Sequence, residues 1–406
     1  MSRAIPALAL LTAFLALPIA APAADWPQYR GPRLDGTSSE TGLARQWPAD
    51  GPETLWRHDL GDGYSGMAVV DGRLYTMYGS GGDEMLVCLD AATGREIWRL
   101  RTDDNRADGQ GGGPRATPTV HGSTVYAVGA QGKLYAVEAV SGEKVWWTDL
   151  VQAFGAGVPT WGVAASPIVV GELLLLDVGG RSGYSIVAFD STTGTVVWHA
   201  ESDKAGYSTP LPVTVDGIRQ ALFFTATQLV SVSPADGRTF WRQPWETSYD
   251  VNAAMPVFLP PDRVFISSSY DRGALVLTMR RDGDGVAISE AWRSRDMKNH
   301  FNSSVYLDGH LYGFDDGTLK CLDAATGEER WAQRGFAKGS LLAADGHLVV
   351  LSERGVLALV EATPSAYVER ARAQVLDGKT WTMPTLSDGV LYVRDQQEIK
   401  ALKIAA

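Results

Sequence analysis

The stretch Cys88-Leu89-Asp90-Ala91-Ala92-Thr93-Gly94 is followed, four residues after its glycine, by Trp98, and the same seven residues return at 321–327 with Trp331 placed identically. Looser copies run through 137–142 with Trp146, 187–194 with Trp198 and 232–237 with Trp241. A unit repeated at this interval cannot bury its apolar face alone, so the chain must stack copies of itself into a repeat architecture.

Each unit reads as two hairpins. Apolar and small residues alternate up to the turn, Asp and Thr supply oxygens for local backbone bonding, and Gly takes the positive φ that a Cβ opposes. A short strand ending in Trp follows, whose flat apolar ring suits packing between sheets. Upstream lies another hairpin marked by a lone Gly or Asp-Gly, as in Asp71-Gly72 before Leu74-Tyr75, His121-Gly122 before Val125-Tyr126 and Asp308-Gly309 before Leu311-Tyr312. Four antiparallel strands per unit result.

Counting tryptophans (Trp56, Trp98, Trp146, Trp198, Trp241, Trp292, Trp331) predicts units at about 64–98, 115–147, 162–199, 206–242, 252–293, 301–332 and a degenerate one at 338–372, where Ala362-Thr363-Pro364 replaces the Thr-Gly turn. Near the C-terminus three strands remain, and the orphan strand around Trp56 supplies the fourth. The expectation is an all-β, eight-bladed propeller of four-stranded antiparallel blades closed by an N-terminal strand, with seven blades as the competing count. It occupies 53–406, preceded by an arm at 24–52 rich in Pro and Gly. Residues 1–23, with Arg3, the apolar run 7–17 and Ala21-Pro22-Ala23, read as a cleaved secretory signal, which places the protein in the periplasm or outside the cell.

A formal charge of −11 argues against a nucleic-acid partner. No stretch reaches the length of a membrane span. Cys88 and Cys321 hold equivalent places in separate repeats, which predicts two buried free thiols rather than a bridge. The six histidines show no metal-ligand spacing, and His121, His310 and His347 fall at hairpin turns expected on the surface. A monomer is the default for a closed ring.

The pattern Ala-x-Asp-x-x-Thr-Gly-x-x-x-Trp, matched at 88–98 and 321–331 apart from its first position, resembles the repeat of pyrroloquinoline quinone (PQQ)-type propellers. The resemblance implies that Trp98, Trp146, Trp198, Trp241, Trp292 and Trp331 are structural, each docking on the turn of the adjacent blade. It also implies one of two activities: quinoprotein alcohol dehydrogenases hold PQQ with a divalent metal, whereas BamB-like members are scaffolds without a cofactor. The Trp26-Pro27-Gln28-Tyr29-Arg30-Gly31-Pro32 start and Lys298-Asn299-His300 look similar to a third set of compact exported propellers.

Residues just upstream of the innermost strands converge on one funnel. That rule selects Tyr64, Arg115, Trp161, Tyr207, Asn252, Lys298, His300, Asn302, Lys338 and Trp381 as ligand-binding candidates, combining stacking faces with positive charge. Glycines at 111–113, 206 and 339 would let a small molecule approach the backbone. The alternative is that these polar groups only line a water-filled tunnel. No catalytic residue is assigned, His300 being the one candidate. The quinone reading lacks adjacent cysteines and a carboxylate in the funnel set, the acidic clusters Asp103-Asp104-Asp108 and Asp282/Asp284 being expected at solvated outer turns; PQQ's carboxylates would still match Arg115 and Lys338. The expected function is a non-catalytic exported propeller binding a small anionic or sugar-like ligand, or an envelope protein, at its funnel or rim. The alternative is a PQQ- or other cofactor-dependent oxidoreductase of alcohols or carbohydrates.

Overall fold

A computed structural model describes residues 24–406; the signal sequence expected at 1–23 lies outside them. Eight four-stranded antiparallel sheets follow one another. We number them blades 1 to 8, at 68–104, 119–149, 168–200, 211–244, 257–294, 305–333, 339–374 and 385–403. Blade 8 is completed by the strand Glu53–Asp59, which pairs with Glu398–Lys403 in the register Arg57 opposite Lys400. Chain ends and count therefore follow the expectation of eight blades closed by a strand from the N-terminal side.

The repeated motif explains itself in this frame. Asp90 accepts bonds from the Thr93 N–H and hydroxyl, Asp190 does the same in blade 3, and Asp323 accepts from the Thr326 N–H in blade 6. Gly94 holds φ 69°, and a Cβ there would lie 2.4 Å from the Trp56 ring; at Gly142 it would lie 2.6 Å from Trp98. The glycine thus serves the turn and also seats the tryptophan of the preceding blade. Each seated indole N–H donates to a turn carbonyl of the next blade: Trp56 to Ala91 (2.9 Å), Trp98 to Ala139 (3.0 Å), Trp146 to Ser191 (2.9 Å), Trp198 to Pro234 (3.0 Å), Trp292 to Ala324 (3.1 Å) and Trp331 to Thr363 (2.8 Å). Tyr392, Tyr75 and Tyr126 donate their hydroxyls to the first three of these carbonyls.

Opposite most of these tryptophans on the neighbouring strand stands a small residue beside a break in register: Cys88 faces Trp98, Cys321 faces Trp331, and Ala188 faces Trp198, whereas Val276 faces Trp292. Both cysteines are free and fully buried, each acting as a small apolar side chain opposite the indole.

Two blade junctions depart from the scheme. Trp241 donates to Gln220 of its own blade (3.0 Å), because blade 5 pairs two ten-residue strands, Gly273–Asp282 and Gly285–Ser294, across a tight turn and offers no Thr-Gly loop. Fully buried Trp245 fills that junction instead, with the Arg272 and Arg293 guanidiniums over its ring at 4.4 and 5.4 Å. In blade 7 Arg372 occupies the tryptophan position, opposite Ala358. The core between blades 7 and 8 is capped by Leu43 and Trp47 of the arm.

The innermost strands are stitched around the channel by a belt of short polar side chains. Ser65 Oγ donates to Ala116 O, Thr117 N to Ser166 Oγ, Ser166 N to Thr209 Oγ1, Ser208 Oγ to Ala254 O, Met255 N to Ser303 Oγ, Asn302 Nδ2 to Gly339 O, Ser340 Oγ to Thr382 O and Thr382 Oγ1 to Tyr64 O. These bonds step from blade to blade through the whole ring, so hydroxyls at the channel hold the blades together rather than merely wetting a tunnel.

The arm does more than lie over the domain. Trp26 bridges to Val69, the Pro27 carbonyl accepts from Val120 N, and Thr37 bridges to Ala343. Between these points Arg30, 1% exposed, donates to the carbonyls of Leu34, Asp35 and Ser304. The segment therefore crosses the axis between blades 1, 2, 6 and 7 and stops one end of the channel.

Candidate functional site

The open end of the channel forms a cup of about 160 Å³, with Tyr29 of the arm and Met383 among the residues that line it. Seven of the ten residues selected from sequence line it: Tyr64, Arg115, Trp161, Tyr207, His300, Asn302 and Trp381. Each sits at the upstream end of an innermost strand, where eight chain segments point at one axis.

One side of the cup is a packed aromatic arc. Tyr64 stacks on Trp381 (centroids 5.2 Å), Phe301 stacks on Trp381 (4.7 Å), His300 meets Phe301 edge-on (5.6 Å), and Tyr270 lies 5.5 Å from His300. The Lys379 amine lies 4.5 Å from the Trp381 ring centre and donates to the Gln110 carbonyl, while the Trp381 indole N–H donates to Glu353. Trp161, at the upstream end of blade 3, differs. Its backbone N–H donates to the Tyr207 hydroxyl (3.3 Å), yet among the described residues its ring has no aromatic neighbour and its indole N–H no protein acceptor.

The Arg115 charge at the cup is cancelled. Arg115 Nη2 lies 2.8 Å from Asp108 Oδ2, both side chains about nine-tenths buried, and Nη1 donates to the Gly113 carbonyl. Burial pulls the guanidinium below its usual basicity. Burial, then the neighbouring Lys338 amine, push His300 down to about 4, so the imidazole is neutral at pH 7. Lys338 lies 3.2 Å from Nδ1 and donates to it, which leaves the ring proton on Nε2, 3.2 Å from the Tyr270 hydroxyl. Both nitrogens are engaged, and His300 acts as a wall. Burial also pushes the Tyr64 hydroxyl up to about 12, keeping it protonated.

Three selected residues do not line the cup. Asn252 is fully buried, donating to the Thr225, Ala226 and Trp245 carbonyls and accepting from Ser268, and so holds the junction of blades 4 and 5. Lys298 pairs with Asp315 at 2.6 Å, and Lys338 stands behind His300. The glycines also serve a different purpose: a Cβ at Gly113 would lie 2.3 Å from the Asp62 carbonyl and one at Gly206 2.5 Å from the Phe224 carbonyl, so they admit the protein's own backbone. Asp108 is buried beside the cup against Arg115 (2.8 Å) and Asp103 is buried against Lys133 (2.8 Å), whereas outer solvated turns were expected for both; Asp284 is exposed as expected. His347 is buried beside Arg45 of the arm rather than at the surface. Sequence reasoning missed Tyr29, Tyr270, Phe301 and Gln110. Phe301, next to His300, carried a readable signal, whereas Tyr29 and Tyr270 come from the arm and from an outer hairpin.

A divalent ion with a quinone does not fit this donor set. Hard cations need several anionic or carbonyl oxygens; the cup wall carries no carboxylate, Asp108 and Glu353 beside it are engaged by Arg115 and by the Trp381 indole, and no group of three or more His, Cys, Asp or Glu gathers as a metal site among the described residues. No helix is long and apolar enough to cross a membrane.

Against known proteins, the family described as outer membrane protein assembly factor BamB matches residues 44–108, 104–333 and 315–405. The serine/threonine-protein kinase AfsK of Streptomyces griseus is 30% identical over 189 residues, 45% of this chain and 22% of that protein, so the chain spans about a fifth of the length of this curated relative. BamB from Moraxella catarrhalis superposes with a TM-score of 0.63 at 15% identity, covering 87% of this chain and 99% of that one. Quinohemoprotein alcohol dehydrogenase ADHIIG from Pseudomonas putida HK5 does so with 0.64 at 12% identity, covering 94% and 80%. Likeness at these identities is likeness of fold. Given the repeat, the eight closed blades and a family match running from residue 44 to 405, the chain belongs to the PQQ-like propeller family of outer membrane protein assembly factor BamB.

Proposed function

We propose that this is an exported, non-catalytic binding propeller whose cup holds one neutral, ring-shaped unit, a sugar. The observation that carries the reading is Trp161: among the described residues an unstacked indole with an unused N–H, on a cup lined otherwise by aromatic and hydrogen-bonding groups, whose lining arginine, Arg115, is paired with Asp108. Sugars present apolar faces to such rings and hydroxyls to the polar groups between them. The volume supports a single ring, being close to that of the engineered cavity that takes benzene, about 150 Å³. Cancellation of Arg115 by Asp108 favours a neutral ligand over an anionic one. A protein partner on the rim is the second reading, supported by the family's description and by Val145 and Trp147 of blade 2, 53% and 54% exposed.

Calorimetric titration with D-glucose, N-acetyl-D-glucosamine, D-glucuronate and PQQ tests the choice. A neutral sugar should bind, and Trp161→Ala should weaken it about tenfold. Tighter binding of glucuronate or PQQ than of either neutral sugar would overturn the reading.

A further inference from the structure

Next to the cup, at blades 3 and 4, lies a groove of about 620 Å³ that shares Tyr207 with it as a common wall. The aromatic arc continues toward it: Tyr270 meets Tyr249 edge-on at 6.3 Å, and Tyr249 lines the groove. Tyr249 is 68% exposed and held at φ 62°. A bulky residue in the left-handed region is costly, and such strain gathers where a side chain is being presented. Three more non-glycine residues at or beside the groove share it, Ser182, Glu201 and Asp250. The wall carries Arg181, Lys204, Asp203 and Asp250, two cations and two carboxylates, and is neutral like the cup. Lys204 pairs with Asp250 at 3.1 Å, and Asp203 is turned inward onto Thr225 and Thr227. Gly157 lines the groove, and a Cβ there would meet nothing within 4 Å, so a larger side chain can be placed at this wall without displacing protein atoms.

We propose that cup and groove form one site for a linear, neutral oligosaccharide. Its terminal unit sits in the cup on Trp161, and the following units pass Tyr207 and lie in the groove against Tyr249. The inference rests on the sugar reading of the cup and adds the ligand's length and path. A single sugar would use only the cup and leave both the groove and the exposed, strained Tyr249 without a role. A tandem of rings uses the two cavities at once, and the linked second unit gains from the proximity of the first.

Titration of the full chain with mono-, di-, tri- and tetrasaccharides of the cello, malto and chito series decides the matter. In the series that binds, affinity should rise about tenfold or more from one unit to three. Gly157→Leu, which adds bulk at the groove wall without a clash, and Tyr249→Ala should each abolish that gain and leave the monosaccharide affinity within about twofold; Tyr249→Phe should retain it. Thermal melts establish that each variant is folded, and the two groove variants act through different residues, so a fold defect in one leaves the other decisive. Equal affinity for one and four units, or a gain that survives both groove variants, overturns the extended site while the cup reading stands. Absence of binding in all three series removes both.

Discussion

At the scale of single residues the fold is a set of reciprocal fits. The turn glycine and the tryptophan of the preceding blade occupy one another's space, so changing either breaks the same joint. Trp98→Ala or Trp331→Ala should cost about 3–5 kcal/mol in urea unfolding, and Gly142→Ala, at φ 76° against the Trp98 ring, more than about 1 kcal/mol. Glu84 is a different case. It is fully buried, accepts from Ala130 N and the Thr102 hydroxyl, and burial raises its carboxyl to about 6. The native state then holds the proton more tightly than the unfolded chain. The stabilisation is complete below pH 4.5 and disappears as pH rises through 6, an effect of about 2 kcal/mol. Measured from pH 4.5 to 6.5, the stability of the native chain should fall by about 1.5 kcal/mol of this relative to Glu84→Gln; parallel curves would contradict the burial assigned to this carboxyl.

At the scale of elements, the arm is the unexpected part. Its lack of strand periodicity was plain from the Pro and Gly content of 24–52, but its path across the axis depends on Arg30 finding three carbonyls contributed by two distant parts of the chain. Arg30→Ala should leave these groups unpaired in a dry site and cost about 3 kcal/mol, with faster proteolysis of the arm as the companion signal. Removing 24–37 takes away Tyr29 and the stopper, and should abolish sugar binding in the cup even where the blades remain folded, as read by circular dichroism and titration. The irregular blades make a similar point. Blade 5 lacks the Thr-Gly loop and blade 7 lacks the tryptophan, and in each place another element covers the joint: Trp245 in one, Leu43 and Trp47 of the arm in the other.

For the whole molecule, closure is the decisive event, because Glu53–Asp59 adds to Glu398–Lys403 as the outermost strand of blade 8 and so ties the N-terminal side of a row of sheets to the last one. Asp59 lies directly opposite Glu398 in that register, at the spacing a disulfide accepts. An Asp59→Cys, Glu398→Cys pair should form a bridge on oxidation and raise the melting temperature, since it encloses almost the whole chain; a bridge that forms without effect would mean that closure is not what limits unfolding.

The sequence by itself determined the blades. The Asp-Thr-Gly turns, the Tyr and Trp staples and the small residues opposite them act over a few positions or between adjacent repeats, so their physics is local and their spacing legible; the funnel rule followed, and placed seven of ten candidates on the cup. Only the tertiary structure decided the electrostatics and the shape of that cup. Whether Arg115 offers a free charge depends on Asp108, whether Asn252 faces a ligand or a joint depends on Trp245 and Ser268, and whether the channel is open depends on Arg30 and Tyr29. Those are partnerships across a ring, set by where eight segments meet an axis, and no periodicity along the chain encodes them.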